Sequence, residues 1–211
     1  LLALGNLGSA YQAAGRLAQA LPIAERVLTL RTEVLGRTNQ GTLVAMNNLA
    51  RLYESLSRHG EALALDGQYL AGHVEVHGER HPMSMWAMGN LARMYSEVGR
   101  YEQALALSEK NHRLHVEVYG ERSQPTLAAM NNLSAAYSAS GRHAEAVALA
   151  ERLVKLQTES LGERQRPTLI AQSVLANAYR QLGRADEAHA IYERLVVLNS
   201  ELQGPRNVDT L

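Results

Sequence analysis

The chain is 211 residues long, and Leu (33) and Ala (31) make up 64 of them, a balance that favours helix. Lys+Arg and Asp+Glu both number 21, so the formal net charge is zero, which argues against backbone-driven nucleic-acid binding and against electrostatic docking on anionic lipid. No apolar run approaches bilayer length, and the absence of Cys excludes disulfides and thiolate chemistry and is compatible with a reducing compartment; a cytoplasmic setting is expected.

A shift of 42 residues superimposes the chain on itself. Seven columns are identical in all five units: Ala3, Leu7, Tyr11, Arg16, Ala20, Glu33 and Gly36, with their partners up to Ala171, Leu175, Tyr179, Arg184, Ala188, Glu201 and Gly204. The units run approximately 1–41, 42–83, 84–125, 126–167 and 168–209, without insertion, as a single array over 1–211. Because the chain opens Leu1-Leu2, it reads as a segment of something longer.

Each unit reads as two helices. In the second unit Thr42 is expected to cap the first, which spans about Leu43–Leu56; Ser84, Thr126, Thr168 and Thr210 repeat the choice. Gly then Arg closes this helix in most units, as in Gly99-Arg100. The second helix is expected from Gly60-Glu61 to His77, ending before Gly78. A loop of about five residues follows, in which Pro82, Pro125 or Pro167 prevents continuation.

At 100° per residue, unit positions 3, 4, 7, 10, 11 and 14 form one arc of the first helix: Ala45, Met46, Leu49, Leu52, Tyr53 and Leu56. Positions 2, 5, 6, 9, 12 and 13 lie opposite: Val44, Asn47, Asn48, Arg51, Glu54 and Ser55. Positions 8 and 20 are always small and allow the two helices to approach closely. One unit cannot bury its apolar arc alone, so neighbours stack into an all-α solenoid with one concave surface, and the repeated polar strip lines a groove.

Leu7-Gly8, Tyr11, Gly15 and Ala20 in this two-helix unit resemble the tetratricopeptide repeat (TPR). The phrase Thr42-Leu43-Val44-Ala45-Met46-Asn47-Asn48-Leu49-Ala50, echoed at Thr126–Leu133, is similar to the long variant of kinesin light chains, which also occurs in bacterial multidomain proteins. The resemblance implies five helix-turn-helix units in a right-handed superhelix. It further implies that extended peptides bind along the first helices, at positions 2, 5, 6, 9, 12 and 13. His81-Pro82-Met83-Ser84 keeps the family's loop, whereas Pro125 and Pro167 stand one place later. Ser173-Val174 replaces the paired Asn in the fifth unit, so the groove weakens there.

Among candidate contacts, Asn6, Asn48, Asn90 and Asn132 recur at position 6, with Asn47 and Asn131 at position 5. Asn is a mediocre helix-interior residue, but its amide both donates and accepts, as an extended backbone requires. The other reading is that these amides satisfy groups between repeats. Arg51 and Arg93 share position 9 with Asn177 and, if brought together, grip a carboxylate of an acidic peptide; Glu54 and Glu97 offer self-neutralising pairs instead. Trp86, at position 2 with Val44, is either a groove anchor or a packing residue. Met46, Met88 and Met130 read as core. His73, His77 and His115 have a metal-like spacing, but among only three Asp (Asp66, Asp186, Asp209) and no Cys they read as surface imidazoles. Gly67 and Gly72 should loosen their helix. No catalytic motif occurs, and no cofactor or metal is expected.

These observations point to a non-enzymatic scaffold for a protein or peptide partner. The alternatives are the regulatory or sensor part of a larger signalling ATPase or protease and, against the charge balance, an RNA-reading repeat. Neither end carries a polar capping helix, so end-to-end self-association is also expected.

Overall fold

The computed structural model describes residues 2–203, so the expected roles of Gly204, Asp209 and Thr210 lie outside the described residues. The described residues form ten helices and no strand. The first helices of the repeats are α1 (Leu2–Ala13), α3 (Gln40–Ser55), α5 (Pro82–Glu97), α7 (Gln124–Ala139) and α9 (Arg166–Gln181). The second helices are α2 (Leu17–Leu35), α4 (His59–His77), α6 (Tyr101–Tyr119), α8 (His143–Leu161) and α10 (Ala185–Gln203). They group into two compact units, Leu1–Leu107 and Ser108–Leu211, whose boundary falls inside α6.

In α3, α5, α7 and α9 the predicted arc is the buried one at positions 3, 4, 7 and 10, whereas in α1 Ala3, Leu7 and Ala10 are exposed. In the first unit Leu43, Met46, Leu49, Ala50 and Tyr53 of α3 pack with Ala62, Leu65 and Tyr69 of α4 and Met94 of α5. In the second, Leu127 and Met130 of α7 pack with Leu153 and Leu156 of α8 and Ala171 of α9. Each fully buried large apolar side chain contributes about 1.5–3 kcal/mol. The methionine stripe is core: Met46, Met88 and Met130 are buried. Ala20, Ala62, Ala104 and Ala146 have no exposed surface, and a Cβ built on Gly8 would meet Ile23 Cγ2 at 3.2 Å, so the small columns mark close helix crossings. The glycine column after the second helices is equally specific. Gly36, Gly78 and Gly162 combine φ of 80–93° with ψ near 160°, a region that only glycine enters at low cost.

Two expectations, on the caps and on the prolines, are corrected. The first helices begin two residues earlier than the threonines, and the caps are Asn39, which accepts from Gly41 N–H at 2.8 Å, His81 and Ser123. Thr42, Thr126 and Thr168 are buried in the first turn, where their hydroxyls donate to carbonyls at or near the end of the preceding second helix. Thr126 reaches the Gly120 carbonyl at 2.7 Å, so the column ties one helix end to the next start. Pro82, Pro125 and Pro167 sit in the first helical turn rather than in the loop, where a missing N–H costs nothing. Helix α4 runs unbroken through Gly67 and Gly72 for 19 residues, as long as α2 and α8. A Cβ on Gly72 would stand 2.5 Å from Leu43 Cδ2, so this glycine makes room for a neighbour.

A candidate binding face on the first helices

The strip opposite the core is accessible in both units. Val44, Trp86 and Ile170, all at position 2, are 42%, 47% and 48% exposed, so large apolar groups stand out from an otherwise polar face. Asn6, Asn48 and Asn132 are exposed, and Asn47, Asn90, Asn131 and Asn177 are half-buried. In the first unit the strip borders a real concavity. Between α1 and α3 lies a cleft of about 170 Å³, lined by Asn6, Ser9 and Gln12 of α1, Val27 and Arg31 of α2, and Val44 and Asn48 of α3. A second cleft of about 260 Å³ is lined by Gln12, Leu17, Asn48, Arg51, Leu52 and Ser55. In the second unit Asn131 has a buried Oδ1 without a hydrogen-bond partner, while Asn177 Oδ1 accepts from Arg180 Nη2 on its own helix at 2.8 Å.

The two arginines of position 9 do different things. Arg51 lines the cleft toward α1 and has no ion-pair partner among the described residues. Arg93 is bound to Glu54 of α3, with Nη2 at 2.9 Å from Oε1, and to Glu97 of its own helix. Glu54 therefore pairs across the α3–α5 interval and not with Arg51. Arg93's guanidinium thus serves two carboxylates of the chain itself, the self-neutralising arrangement that the sequence also offered.

The histidines are also corrected in part. His73 is fully buried and neither ring nitrogen has a partner, so it is not a surface imidazole. Burial, and then the neighbouring His77 and His81, hold its pKa below the usual histidine value. Its ring meets Tyr69 edge-on at 4.5 Å, and His77 stacks between it and His81 at 5.7 and 4.3 Å. Among the described residues no group of three metal-ligating side chains is assembled. Trp86 packs edge-to-face on Tyr69 at 5.9 Å and keeps nearly half its surface free, so it both packs and presents an indole.

Two features went unnoticed in the sequence. One is a clasp across repeat junctions. Tyr53, Tyr137 and Tyr179 donate their hydroxyls to Glu25, Glu109 and Glu151 of the preceding second helix at 2.7, 2.9 and 2.6 Å. Arg58, Arg142 and Arg184 lie over those rings at 4.2–4.7 Å and pair with Glu61, Glu145 and Glu187. This accounts for the Tyr and Arg of three of the five units. At the next junction the position of Glu25 is held by Gly67, so Tyr95 has no such carboxylate. The other feature is Asp66, 5% exposed, with Oδ2 unpartnered. Burial, with Glu54 and Glu97 adding to it against Arg93, pushes its pKa up to about 6. The available signal was a variable column: position 24 is Ala24, Ser108, Ala150 and Tyr192 where the second unit has Asp66.

The tetratricopeptide-repeat family model matches residues 1–73, 83–159 and 125–198. The chain belongs to the TPR family. Among solved structures, the array is similar to the nearly identical TPR-like repeats of a Podosopora anserina protein assigned as a kinesin light chain, with 27% identity, 96% of each chain covered and a TM-score of 0.85. BtubC (BKLC) from P. vanneervenii shares the fold at 19% identity and TM-score 0.77, over 97% of this chain and 81% of that one. A Rap protein complexed with Competence and Sporulation Factor shares it at 14% identity and TM-score 0.66, over 94% of this chain and 53% of that one. Among curated proteins no sequence matches. The all-α class and the kinesin-light-chain-like repeat are thus those anticipated. TPR arrays are protein-interaction scaffolds, and nothing among the described residues of this one points to catalysis. No helix among the described residues is long and apolar enough to cross a membrane.

Proposed function

We propose that the array is a non-enzymatic interaction module whose first helices take an extended peptide or a segment of a partner domain. The observation that carries this is the cleft between α1 and α3, where Asn6, Gln12 and Asn48 offer amides for a peptide backbone beside an exposed Val44. Such amides pair with both N–H and C=O of an extended chain, and the apolar position 2 supplies a side-chain contact. The Rap protein that shares the fold is complexed with Competence and Sporulation Factor. Arg31 and Arg51 line the two clefts, whose lining holds no carboxylate, so an acidic ligand residue is favoured at this end. Asn131 and Asn132 extend the same role to α7.

We further infer a cytoplasmic setting from the cysteine-free composition, and end-to-end self-association from exposed apolar surface. Leu7 of α1 is 46% exposed where Leu49, Leu91, Leu133 and Leu175 are buried, and Val196 of α10 is 56% exposed where Leu28, Leu70 and Val154 are half-buried.

The test is a random dodecapeptide library displayed on phage and selected on the whole chain. Peptides should be enriched by the wild-type array and lost on the combined Asn48→Ala, Asn90→Ala, Asn132→Ala variant, with helix content and melting unchanged. Equal binding by both proteins would remove the amide mechanism.

A further inference from the structure

We propose that the interval between α3 and α5 holds a cationic side chain of the bound peptide, Lys or Arg, with Asp66 as its counter-ion. The inference rests on the peptide-binding reading of the first-helix face and adds the chemistry of one subsite.

Packing does not ask for a carboxylate at position 24, since Ala24 and Ala150 fill the same place. Leaving a buried carboxyl oxygen without a partner is costly. Asp66 nevertheless stands there with Oδ2 unpartnered. The charges that act on it are Glu54 of α3 and Arg93 and Glu97 of α5, which stand on the two sides of that interval. Three carboxylates therefore share one guanidinium. Arg93 is already committed to Glu54 and Glu97. Arg51, the other arginine of this face, lines the neighbouring cleft toward α1. The interval is short of positive charge, and its own helices do not supply it.

The walls suit a cation on an alkyl stem. Tyr69 lies one turn from Asp66 on α4, and the Asp66 charge reaches it, adding to burial in holding its hydroxyl protonated. Trp86 packs edge-to-face on Tyr69 and remains 47% exposed. An exposed indole attracts ammonium and guanidinium groups through the negative face of its ring. The contrast with the adjoining α1–α3 clefts is one of sign, because those are lined by Arg31 and Arg51.

The experiment is the same phage selection, run on the whole chain and on Asp66→Asn. Wild-type clones should share a Lys or Arg at one fixed place, and the Asp66→Asn pool should still yield binders without it. A selected lysine peptide should lose about tenfold or more in affinity on Asp66→Asn, and the same on lysine-to-norleucine in the peptide, and the two losses should not add. Binders without a fixed basic residue, or a lysine peptide indifferent to Asp66→Asn, would overturn this inference and leave the peptide-binding reading standing. No binder to the wild-type chain would overturn both. Melting followed by circular dichroism checks the fold of Asp66→Asn, and Asp66→Ala, which copies Ala24, carries the test if the amide variant is unstable.

Discussion

Tyr53 of α3 reaches across a repeat junction and donates its hydroxyl to Glu25 of α2 at 2.7 Å. The bond is charge-assisted, and burial followed by this bond pushes the Tyr53 pKa up to about 12. Tyr53→Phe should therefore cost about 1.5–3 kcal/mol. Tyr95→Phe, at the junction where Gly67 replaces the glutamate, should stay within about 0.5 kcal/mol of wild type. The sign of the pH effect follows from the raised value. The folded state holds its proton between pH 10 and about 12 while the unfolded chain loses it, so the stabilisation is intact below pH 10 and falls as pH rises toward 12. Urea titrations at pH 8 and pH 10.5 check both statements, and an equal cost for the two variants would refute the clasp.

Ser57 is the only non-glycine with positive φ among the described residues, at 57°, where Gly15, Gly99, Gly141 and Gly183 occupy the same column. The left-handed conformation costs an L-residue about 1–2 kcal/mol, part of which glycine returns through its greater freedom when unfolded. Ser57→Gly should stabilise the first unit by about 1 kcal/mol, and Gly141→Ala should destabilise the second by a similar amount. Thermal melting of both variants decides it.

The two helical glycines of α4 should respond with opposite signs. A Cβ at Gly67 meets nothing within 4 Å, so Gly67→Ala gains helix propensity, about 0.5–1 kcal/mol. At Gly72 the same propensity gain is opposed by Leu43 Cδ2 at 2.5 Å, and Leu43, 1% exposed, has no free space to turn into. Overpacking costs about 1–3 kcal/mol, so Gly72→Ala should be net destabilising. Denaturant midpoints of the two single variants test this, and Gly72→Ala with Leu43→Ala should recover part of the clash.

Periodicity alone located the buried arc from Ala45 to Tyr53 and the exposed strip from Val44 to Arg51, because a helix face is a local property of spacing. Roles that depend on a second element were less legible. Thr42 was visible as a hydroxyl at a helix start, but whether it caps its own helix or binds the carbonyl of Arg31 is decided by where α2 ends. Arg93 and Glu97 were readable as neighbours on one helix, whereas Glu54 joins them only through the packing of α3 on α5. The invariant Tyr column looked like core until Glu25, 28 residues earlier, supplied its acceptor. Asp66 escaped because an identical column attracts notice and a single departure from a variable one does not.

Asp66 provides a pH-dependent test of its own burial. Its pKa is raised from 3.8 to about 6, with burial the largest cause and Glu54 next. For an acid raised on folding, the stabilising contribution is complete below pH 3.8 and is lost as pH rises through 6, where the folded chain must ionise a buried carboxyl. Asp66→Asn removes that penalty. It should stabilise the first unit at pH 7.5 by on the order of 2 kcal/mol, and the gain should shrink as pH falls through 6 toward 4. His73 acts in the opposite sense, since its depressed pKa makes the wild type lose stability as pH drops below 6.5. The difference between variant and wild type at each pH cancels that background. Melting curves of the pair from pH 8 to pH 4.5 should therefore converge at the acid end, and a gap independent of pH would mean that Asp66 is not the buried, partnerless acid described above.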